Sequence, residues 1–242
     1  MIRLKNIKIN FIDKEFSIIE ETRNIKFVTT LNTELLLKSQ KDKKLFNILN
    51  SINSIVTIDG QWLIFALKRK YKGVNITKNS GSDLIYTVSK EAKQLNKKLL
   101  ILGSIPEVNG LAVEKLKNLY NHNDIYGFSP PISEYPFSED FTNKVRNAIN
   151  HIKPEIIITA FGVPKQEYWA YDNKKYLKDN GVKYVMFFGG AVDMVAGKFN
   201  RAPKILQKLG FEGIYRLILE PSRIKRYYKL LRIIPMIILN KL

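Results

Sequence analysis

The chain has 242 residues, an apolar fraction of 45% and a formal net charge of +18. This length predicts one medium-sized α/β domain or two small ones, with a composition ordinary for a protein that has a core. Cysteine is absent, which excludes structural disulfides and thiolate metal sites and is compatible with a reducing cytoplasm. We expect neither a secretory leader nor a membrane-spanning helix, because no long apolar leader segment and no run of about 20 apolar residues is visible.

Short apolar segments alternate with helical patterns along the chain. After a first short strand around Ile7 and Ile9, buried strands are predicted at 26–31, 54–58, 98–102, 124–128, 155–159 and 183–188. Helices are predicted at 33–50, 61–71, 78–96, 106–120, 141–152 and 165–180. Such alternation predicts an α/β fold, with a mostly parallel sheet and helices on both faces.

Five of the predicted strands are followed by polar or glycine residues. These are Thr30 and Asn32, Asp59 and Gly60, Gly103 and Ser104, Phe161 and Gly162, and Gly189 and Gly190. The carboxyl ends of parallel strands meet at one edge of a sheet, and ligands of open α/β sheets bind outside that edge. We therefore expect one edge to collect all of these groups.

The positive charge is concentrated towards the carboxyl end. From Lys198 to Leu242 there are eleven basic and two acidic residues, which is half of the excess charge. This asymmetry indicates an anionic partner: nucleic acid, a membrane surface or a phosphorylated substrate. A generally lysine-rich composition explains scattered lysines, but it explains clustered arginines less well.

Common signatures of catalytic and nucleotide sites are absent. There is no Gly-x-Gly-x-x-Gly after a strand, no P-loop, no Gly-x-Ser-x-Gly elbow and no Asp-x-Asp pair for a metal-bound nucleotide sugar. The histidines His122 and His151 lie away from the strand ends, and we expect both at the surface. The groups that remain as candidates for the chemistry of a site are carboxylate, amide, hydroxyl and arginine side chains.

Asp59 is the candidate general base, since a base is a carboxylate held partly out of water. An ordinary Asp-Gly turn is the alternative. Thr30 and Asn32 can hydrogen-bond a sugar or the base, or cap the following helix. Asp193 can likewise bind substrate or cap a turn after Gly190.

Lys165 opens a predicted helix after Pro164, where its ammonium and free backbone N–H groups suit an anion. Glu167 lies in the same first turn, where the helix dipole alone accounts for it.

The tail carries the arginines Arg216, Arg223 and Arg226 on helices joined near Pro221. They can converge on a diphosphate, because guanidinium groups bind phosphate oxygens bidentately; a solvated basic face is the alternative. Beyond them, apolar and basic residues at helical spacing predict an amphipathic helix suited to an anionic membrane surface, with core packing as the rival interpretation.

Several motifs occur in an order that resembles the bacterial WecG/TagA/CpsF glycosyltransferases, and the likeness covers nearly the whole chain. The motifs are Thr30-Leu31-Asn32, Asp59-Gly60, Gly81-Ser82-Asp83-Leu84, Leu102-Gly103-Ser104, Phe161-Gly162-Val163-Pro164-Lys165-Gln166-Glu167, Gly190-Ala191-Val192-Asp193, Arg201-Ala202-Pro203 and Glu220-Pro221-Ser222-Arg223. The Gly-x-Pro-Lys-Gln-Glu and Arg-Ala-Pro … Glu-Pro-x-Arg segments together are highly specific.

The resemblance implies a Rossmann-like α/β catalytic domain over residues 1–211. It also implies a C-terminal basic, amphipathic helical appendage over 212–242 that associates with the membrane and completes the active site. The implied enzyme is an inverting transferase that needs neither metal nor cofactor. It moves a sugar, such as N-acetylmannosamine or a related hexose, from a UDP-sugar to a polyprenyl-diphosphate-linked saccharide. The implied location is the inner face of the plasma membrane, in synthesis of teichoic acid, capsule or exopolysaccharide.

By match of motif, Asp59 is implied as the general base, Thr30 as its neighbour and Gln166 as a donor-sugar contact. The arginines at 216, 223 and 226 are implied to complete the site. The other substrate-binding candidates are Asn32, Gly103, Ser104, Lys165 and Asp193.

The chain departs from the family pattern in two places near the candidate base. Gln61-Trp62 follow Asp59-Gly60, where relatives have a small glycine-rich segment, and Lys78 stands where arginine is common. These departures leave open the donor and the acceptor. Separately, the sequence allows a homo-oligomer. A basic α/β nucleic-acid-binding protein is the alternative function at this point.

Overall fold

The computed structural model describes residues 2–10, 17–198, 202–203, 205–206 and 212–219. The strands are β1 (Arg3–Leu4), β2 (Ile7–Lys8), β3 (Lys26–Leu31), β4 (Ser54–Ile58), β5 (Leu99–Gly103), β6 (Ile125–Phe128), β7 (Ile156–Ala160) and β8 (Tyr184–Phe187). The helices are α1 (Thr33–Ser39), α2 (Lys43–Leu49), α3 (Gln61–Lys70), α4 (Gly81–Gln94), α5 (Pro106–Tyr120), α6 (Glu139–Ile152), α7 (Lys165–Asp172), α8 (Lys174–Asp179), α9 (Gly189–Ala196) and α10 (Glu212–Leu219).

Six strands form one all-parallel sheet in the order β4-β3-β8-β7-β5-β6. The strand ends are in register: Leu31 pairs with Ile58, and Gly103 pairs with Ala160. The remaining two strands, β1 and β2, form an antiparallel pair. This parallel sheet, flanked by helices, confirms the predicted α/β class.

The sheet is apolar on both faces because helices cover both. Helices α4, α5 and α9 pack over one face, against residues such as Val28, Ile101 and Met186. Helices α6, α7 and α8 cover the other face, against Phe27 and Leu100 among others. A third apolar cluster joins α1, α2 and α3 to β1, β2 and the β4 edge.

Two predicted helices are each divided in two. The pattern at 33–50 breaks between α1 and α2, because the carboxylate of Asp42 accepts a hydrogen bond from the Leu45 N–H at 3.0 Å and so caps α2. The pattern at 165–180 breaks at Asn173, which lies between α7 and α8. A capping side chain thus accounts for the first break, whereas at the second the Asn173 Nδ2 donates back to the Trp169 carbonyl of α7 at 2.9 Å and no side chain caps α8.

The segment after β8 is helical from its first glycine. Helix α9 starts at Gly189 and ends at Ala196, and its C-cap Gly197 has a left-handed φ of 84°. Asp193 therefore lies inside α9, and the expectation that it caps a turn after Gly190 is wrong.

His122 is also placed differently from the expectation. Its side chain is buried at the carboxyl end of α5, with Nε2 at 3.1 Å from the Lys97 carbonyl oxygen. Burial lowers the pKa of His122. The surface assignment was wrong for His122, whereas His151 is exposed as expected.

Helix α10 begins at the predicted boundary of the appendage, and Arg216 lies within it. Arg223 and Arg226 lie outside the described residues. The division into 1–211 and 212–242 stays a prediction.

Candidate active site at the carboxyl edge of the sheet

The carboxyl edge of the sheet contains a switch point between β5 and β7. From β5 the chain passes through α5 to β6 on one side, and from β7 it passes through α7 and α8 to β8 on the other. Ligands of open parallel sheets bind at such points. The polar strand ends predicted from the sequence lie along this edge.

Gly103 and Ser104 form the tight turn that ends β5. Gly103 has φ 107°, and a Cβ there would lie 2.9 Å from the carbonyl carbon and oxygen of Ala160. The Gly103 carbonyl accepts from the Asn109 Nδ2 at 2.8 Å, and the Ser104 N–H donates to the Ala160 carbonyl at 3.1 Å. Gly103 is thus required for packing, while the half-buried Ser104 side chain lies at the edge.

Thr30 faces the amino terminus of α4. Its side chain is buried, and its Oγ1 lies 3.4 Å from the position that a Cβ would take at Gly81, the first residue of α4. The ring of Phe188 lies equally close to the same position. The ends of β3, β8 and α4 therefore meet around Gly81.

Asp59 lies at the neighbouring strand end. Its N–H donates to the Leu31 carbonyl at 2.9 Å, which continues the β3–β4 ladder by one residue. Its side chain is 31% exposed, and Oδ1 lies 3.8 Å from the Lys78 ammonium. The segment carrying Lys78 is held beside β4, since the Asn79 N–H donates to the Ile58 carbonyl at 2.9 Å. The structure thus brings Asp59, Lys78 and the start of α4 into one corner.

Asn32 caps the next helix. Its Oδ1 accepts from the Leu35 N–H at 2.9 Å, which confirms the capping interpretation for that oxygen. A contact between Asn32 and substrate can use its Nδ2 group or the second lone pair of Oδ1.

Lys165 is bound to the loop after β6. Its ammonium donates to the Ser133 carbonyl at 3.0 Å and pairs with the Glu134 carboxylate at 3.1 Å. The side chain therefore fastens the start of α7 to that loop.

Gln166 and Glu167 are buried at the start of α7, with Gln166 3% exposed and Glu167 0% exposed. The Gln166 Nε2 donates to Glu167 Oε1 at 3.1 Å. Burial raises the pKa of Glu167 to about 7. The hydrogen bond from Gln166, a backbone hydrogen bond and the positive charge of Lys38 each lower this pKa, but by less than burial raises it. Gln166 Oε1 and Glu167 Oε2 have no hydrogen-bond partner among the described residues.

Sequence reasoning treated Glu167 only as a charge favourable to the helix dipole. The sequence nevertheless contained a signal that Glu167 is buried, namely its spacing from Trp169 and Ala170, the buried apolar residues of α7. Gln166 and Glu167 precede them by three positions, which places the polar pair on the same buried face.

Gly189 allows three elements to approach at this edge. A Cβ there would lie 3.3 Å from the Ala160 Cα and 3.3 Å from the Gln166 Oε1. The start of α9, the end of β7 and the Gln166 carboxamide thus meet beside the switch point.

A family model, the glycosyl transferase WecG/TagA/CpsF family, matches residues 2–242. The chain belongs to this family. It is therefore a glycosyltransferase of cell-wall polysaccharide synthesis that uses a sugar donor and an acceptor substrate. The match spans essentially the whole chain, which confirms the resemblance seen in the motifs.

In this WecG/TagA/CpsF glycosyltransferase, the predicted site residues divide into two groups at the carboxyl edge. Thr30 and Asp59 lie with Lys78 and the start of α4, and Gln166 lies with Glu167 and the start of α9. Asp193 is half-buried within α9.

Two further observations concern the described part of the chain only. It holds no group of three or more His, Asp or Glu side chains arranged to bind a metal ion. Among its helices, none is both long enough and apolar enough to cross a bilayer.

Proposed function

We propose that this glycosyltransferase transfers a sugar, N-acetylmannosamine or a related hexose, from a UDP-sugar to a polyprenyl-diphosphate-linked saccharide, with inversion and without a metal or cofactor. The observation that carries the proposal is the Asp59 carboxylate, partly exposed at the carboxyl edge beside Lys78 and next to the strand end of Thr30. A general base needs this combination of access to substrate and partial shelter from water.

In the proposed reaction, Asp59 accepts the proton of the acceptor hydroxyl as its oxygen attacks the anomeric carbon. The new glycosidic C–O bond forms while the bond from the anomeric carbon to the diphosphate oxygen breaks. UDP leaves with the electron pair of that bond. Attack from the face opposite to the leaving group inverts the anomeric configuration.

The departing diphosphate needs stabilisation of its negative charge. The amino terminus of α4 has no side-chain cap and offers its dipole at this edge. We assign the remaining stabilisation to Arg216, Arg223 and Arg226, whose guanidinium groups suit a diphosphate. Activity that survives EDTA is expected, and loss of activity restored by a divalent cation would contradict the metal-free proposal.

Helix α3 supports an acceptor held at an anionic membrane. It follows the Asp59-Gly60 turn directly, and its Phe65 is 47% exposed and packs edge-on against Trp62 with ring centroids 6.2 Å apart. Its last turn is basic, with Lys68, Arg69 and Lys70. Aromatic and basic groups on one helix suit the interface of an anionic bilayer, and we place this enzyme at the inner face of the plasma membrane.

The base assignment is tested with Asp59→Asn, assayed by UDP release with a lipid-diphosphate acceptor and a panel of UDP-sugars. Loss of a general base is expected to lower kcat by roughly 100-fold or more. Asp179→Asn is the matched control, because Asp179 ends α8 away from the carboxyl edge and pairs with Lys175 at the surface. A folded Asp59→Asn variant with wild-type kcat would remove Asp59 from this role.

The membrane assignment is tested by co-sedimentation with phosphatidylglycerol and phosphatidylcholine vesicles. We expect binding to the anionic vesicles only, weakened by salt and by Phe65→Ser. Leu119→Ser is the control, because Leu119 is 60% exposed near the far end of α5. Equal binding to neutral vesicles, or equal loss in both variants, would count against α3 as a contact.

A further inference from the structure

Gln166 and Glu167 share one hydrogen bond in a site closed to solvent. The Gln166 Nε2 donates to Glu167 Oε1 at 3.1 Å, which leaves Gln166 Oε1 and Glu167 Oε2 unpartnered among the described residues. Buried polar atoms are nearly always paired, because an unpaired one loses its hydration without compensation. Two such atoms on adjacent residues point to a role in binding.

The direction of the Gln166 carboxamide depends on Glu167. An ionised carboxylate only accepts hydrogen bonds, so it requires the Gln166 NH₂ group to face it and turns Oε1 away. A protonated carboxyl group has an O–H that donates, so the carboxamide can rotate by half a turn and accept through Oε1. The NH₂ group then faces the other way.

The outward end of this carboxamide lies at the carboxyl edge. In the observed orientation Gln166 Oε1 lies 3.3 Å from the Cβ position at Gly189, the first residue of α9, and Gly189 also contacts the end of β7. The end of the carboxamide that faces Gly189 is buried under the start of α9, so a ligand at this edge reaches it when that start moves aside.

We propose that Glu167 is a positioning residue that sets whether Gln166 offers a hydrogen-bond acceptor or a donor to the donor sugar. Ionised Glu167 makes Gln166 an acceptor for a sugar hydroxyl or an N-acetyl N–H. Protonated Glu167 allows the reversed orientation, in which Gln166 is a donor to a hydroxyl or carbonyl oxygen. This inference rests on the proposed function, in which Gln166 contacts the sugar of the donor.

Both protonation states are accessible near neutral pH. Burial raises the pKa of Glu167 to about 7, and the charged group acting on it is Lys38 of α1. The Lys38 ammonium donates to the Val163 carbonyl at 3.0 Å and pairs with Glu34 at 3.1 Å. Glu34 neutralises part of the charge of Lys38. Lys38 therefore lowers the pKa of Glu167 by less than burial raises it.

The first experiment needs no substrate. The side-chain amide signals of Gln166 are assigned in ¹⁵N-labelled full-length protein by their loss in Gln166→Met, and are followed from pH 5 to pH 9. We expect a shift with a midpoint near pH 7 that disappears in Glu167→Gln, while the exposed Gln40 amide stays constant. A Gln166 signal that does not titrate, or that titrates equally in Glu167→Gln, would overturn the proposal.

The second experiment measures transfer. Wild-type protein is expected to show a donor KM that changes between pH 6 and pH 8, whereas the donor KM of Glu167→Gln is expected to stay flat over the same range. Gln166→Met is expected to raise the donor KM about tenfold, as for the loss of one hydrogen bond. A KM profile in Glu167→Gln that matches wild type would also overturn the proposal.

The two experiments separate the two proposals. Amide titration without transfer from any UDP-sugar would leave the Glu167–Gln166 coupling intact and refute the proposed donor. Transfer with a Gln166 amide that does not titrate would refute the coupling and leave the proposed function standing.

Discussion

Glu167→Gln should change how the stability of the fold depends on pH. The carboxyl group has an ordinary pKa of 4.5, and burial raises the pKa of Glu167 to about 7 in the folded chain. Between these values the unfolded chain releases a proton that the folded chain keeps, so rising pH favours the unfolded state. The difference corresponds to about 3 kcal/mol of unfolding free energy, lost progressively from about pH 4.5 to 7 and constant above. Glutamine has nearly the same size as glutamate and does not ionise, so this pH-dependent contribution is absent from the variant.

Urea unfolding at pH 5 and pH 8 tests this reasoning. Other groups also titrate in this range, so the quantity of interest is the difference in unfolding free energy between Glu167→Gln and wild type at each pH. We expect that difference to move by about 2 to 3 kcal/mol in favour of the variant from pH 5 to pH 8, because part of the full effect is already lost at pH 5. Glu107→Gln, at an exposed position of α5, is the matched control and should show no such change. A constant difference for Glu167→Gln would refute the raised pKa.

Three further substitutions test the edge of the sheet by calorimetry or urea unfolding. Gly103→Ala should cost roughly 3 kcal/mol, from the left-handed φ of 107° and the 2.9 Å clash with Ala160, while Gly110→Ala in open space on α5 should be neutral or stabilising by up to about 1 kcal/mol. Asn32→Ala should cost about 1 kcal/mol through the lost cap, and Asn32→Asp should restore it. Gly127→Ala should be destabilising, unlike Gly110→Ala, because a Cβ at Gly127 would meet Asn109 Oδ1 at 2.1 Å and displace the carboxamide that binds the Ile101 and Gly103 carbonyls.

The strands and the class of the fold were predictable because their signals are local. The apolar, β-branched runs at 26–31 and 54–58 gave β3 and β4 with their observed bounds. Helix α5 was predicted with its observed ends, since Pro106 occupies the first turn. Once the strands were parallel, the meeting of their polar ends at one edge followed from geometry.

The parts that were wrong depend on contacts between elements. The glycines that open α9 resemble a turn in sequence, and only the approach of Gly189 to Ala160 and Gln166 explains why glycine begins a helix there. His122 looked like a surface residue after a helix, but its ring is buried beside the Lys97 backbone. Neither the helical start at Gly189 nor the burial of His122 can be derived from the spacing of residues along a single segment.

Two carboxylates at the carboxyl edge compete for the role of base, and access to substrate decides between them. A pKa near 7 would favour Glu167, because a base works best when its pKa is close to the working pH. Glu167 is 0% exposed, however, and a base must come within hydrogen-bond distance of the hydroxyl that it deprotonates. The Asp59 side chain is 31% exposed at the same edge and so is the carboxylate that an acceptor hydroxyl can reach. The assignment therefore requires Asp59→Asn to lower kcat, and Glu167→Gln to act through the donor KM and its dependence on pH. The opposite pattern would transfer the role of base to Glu167 and require the start of α7 to open during the reaction.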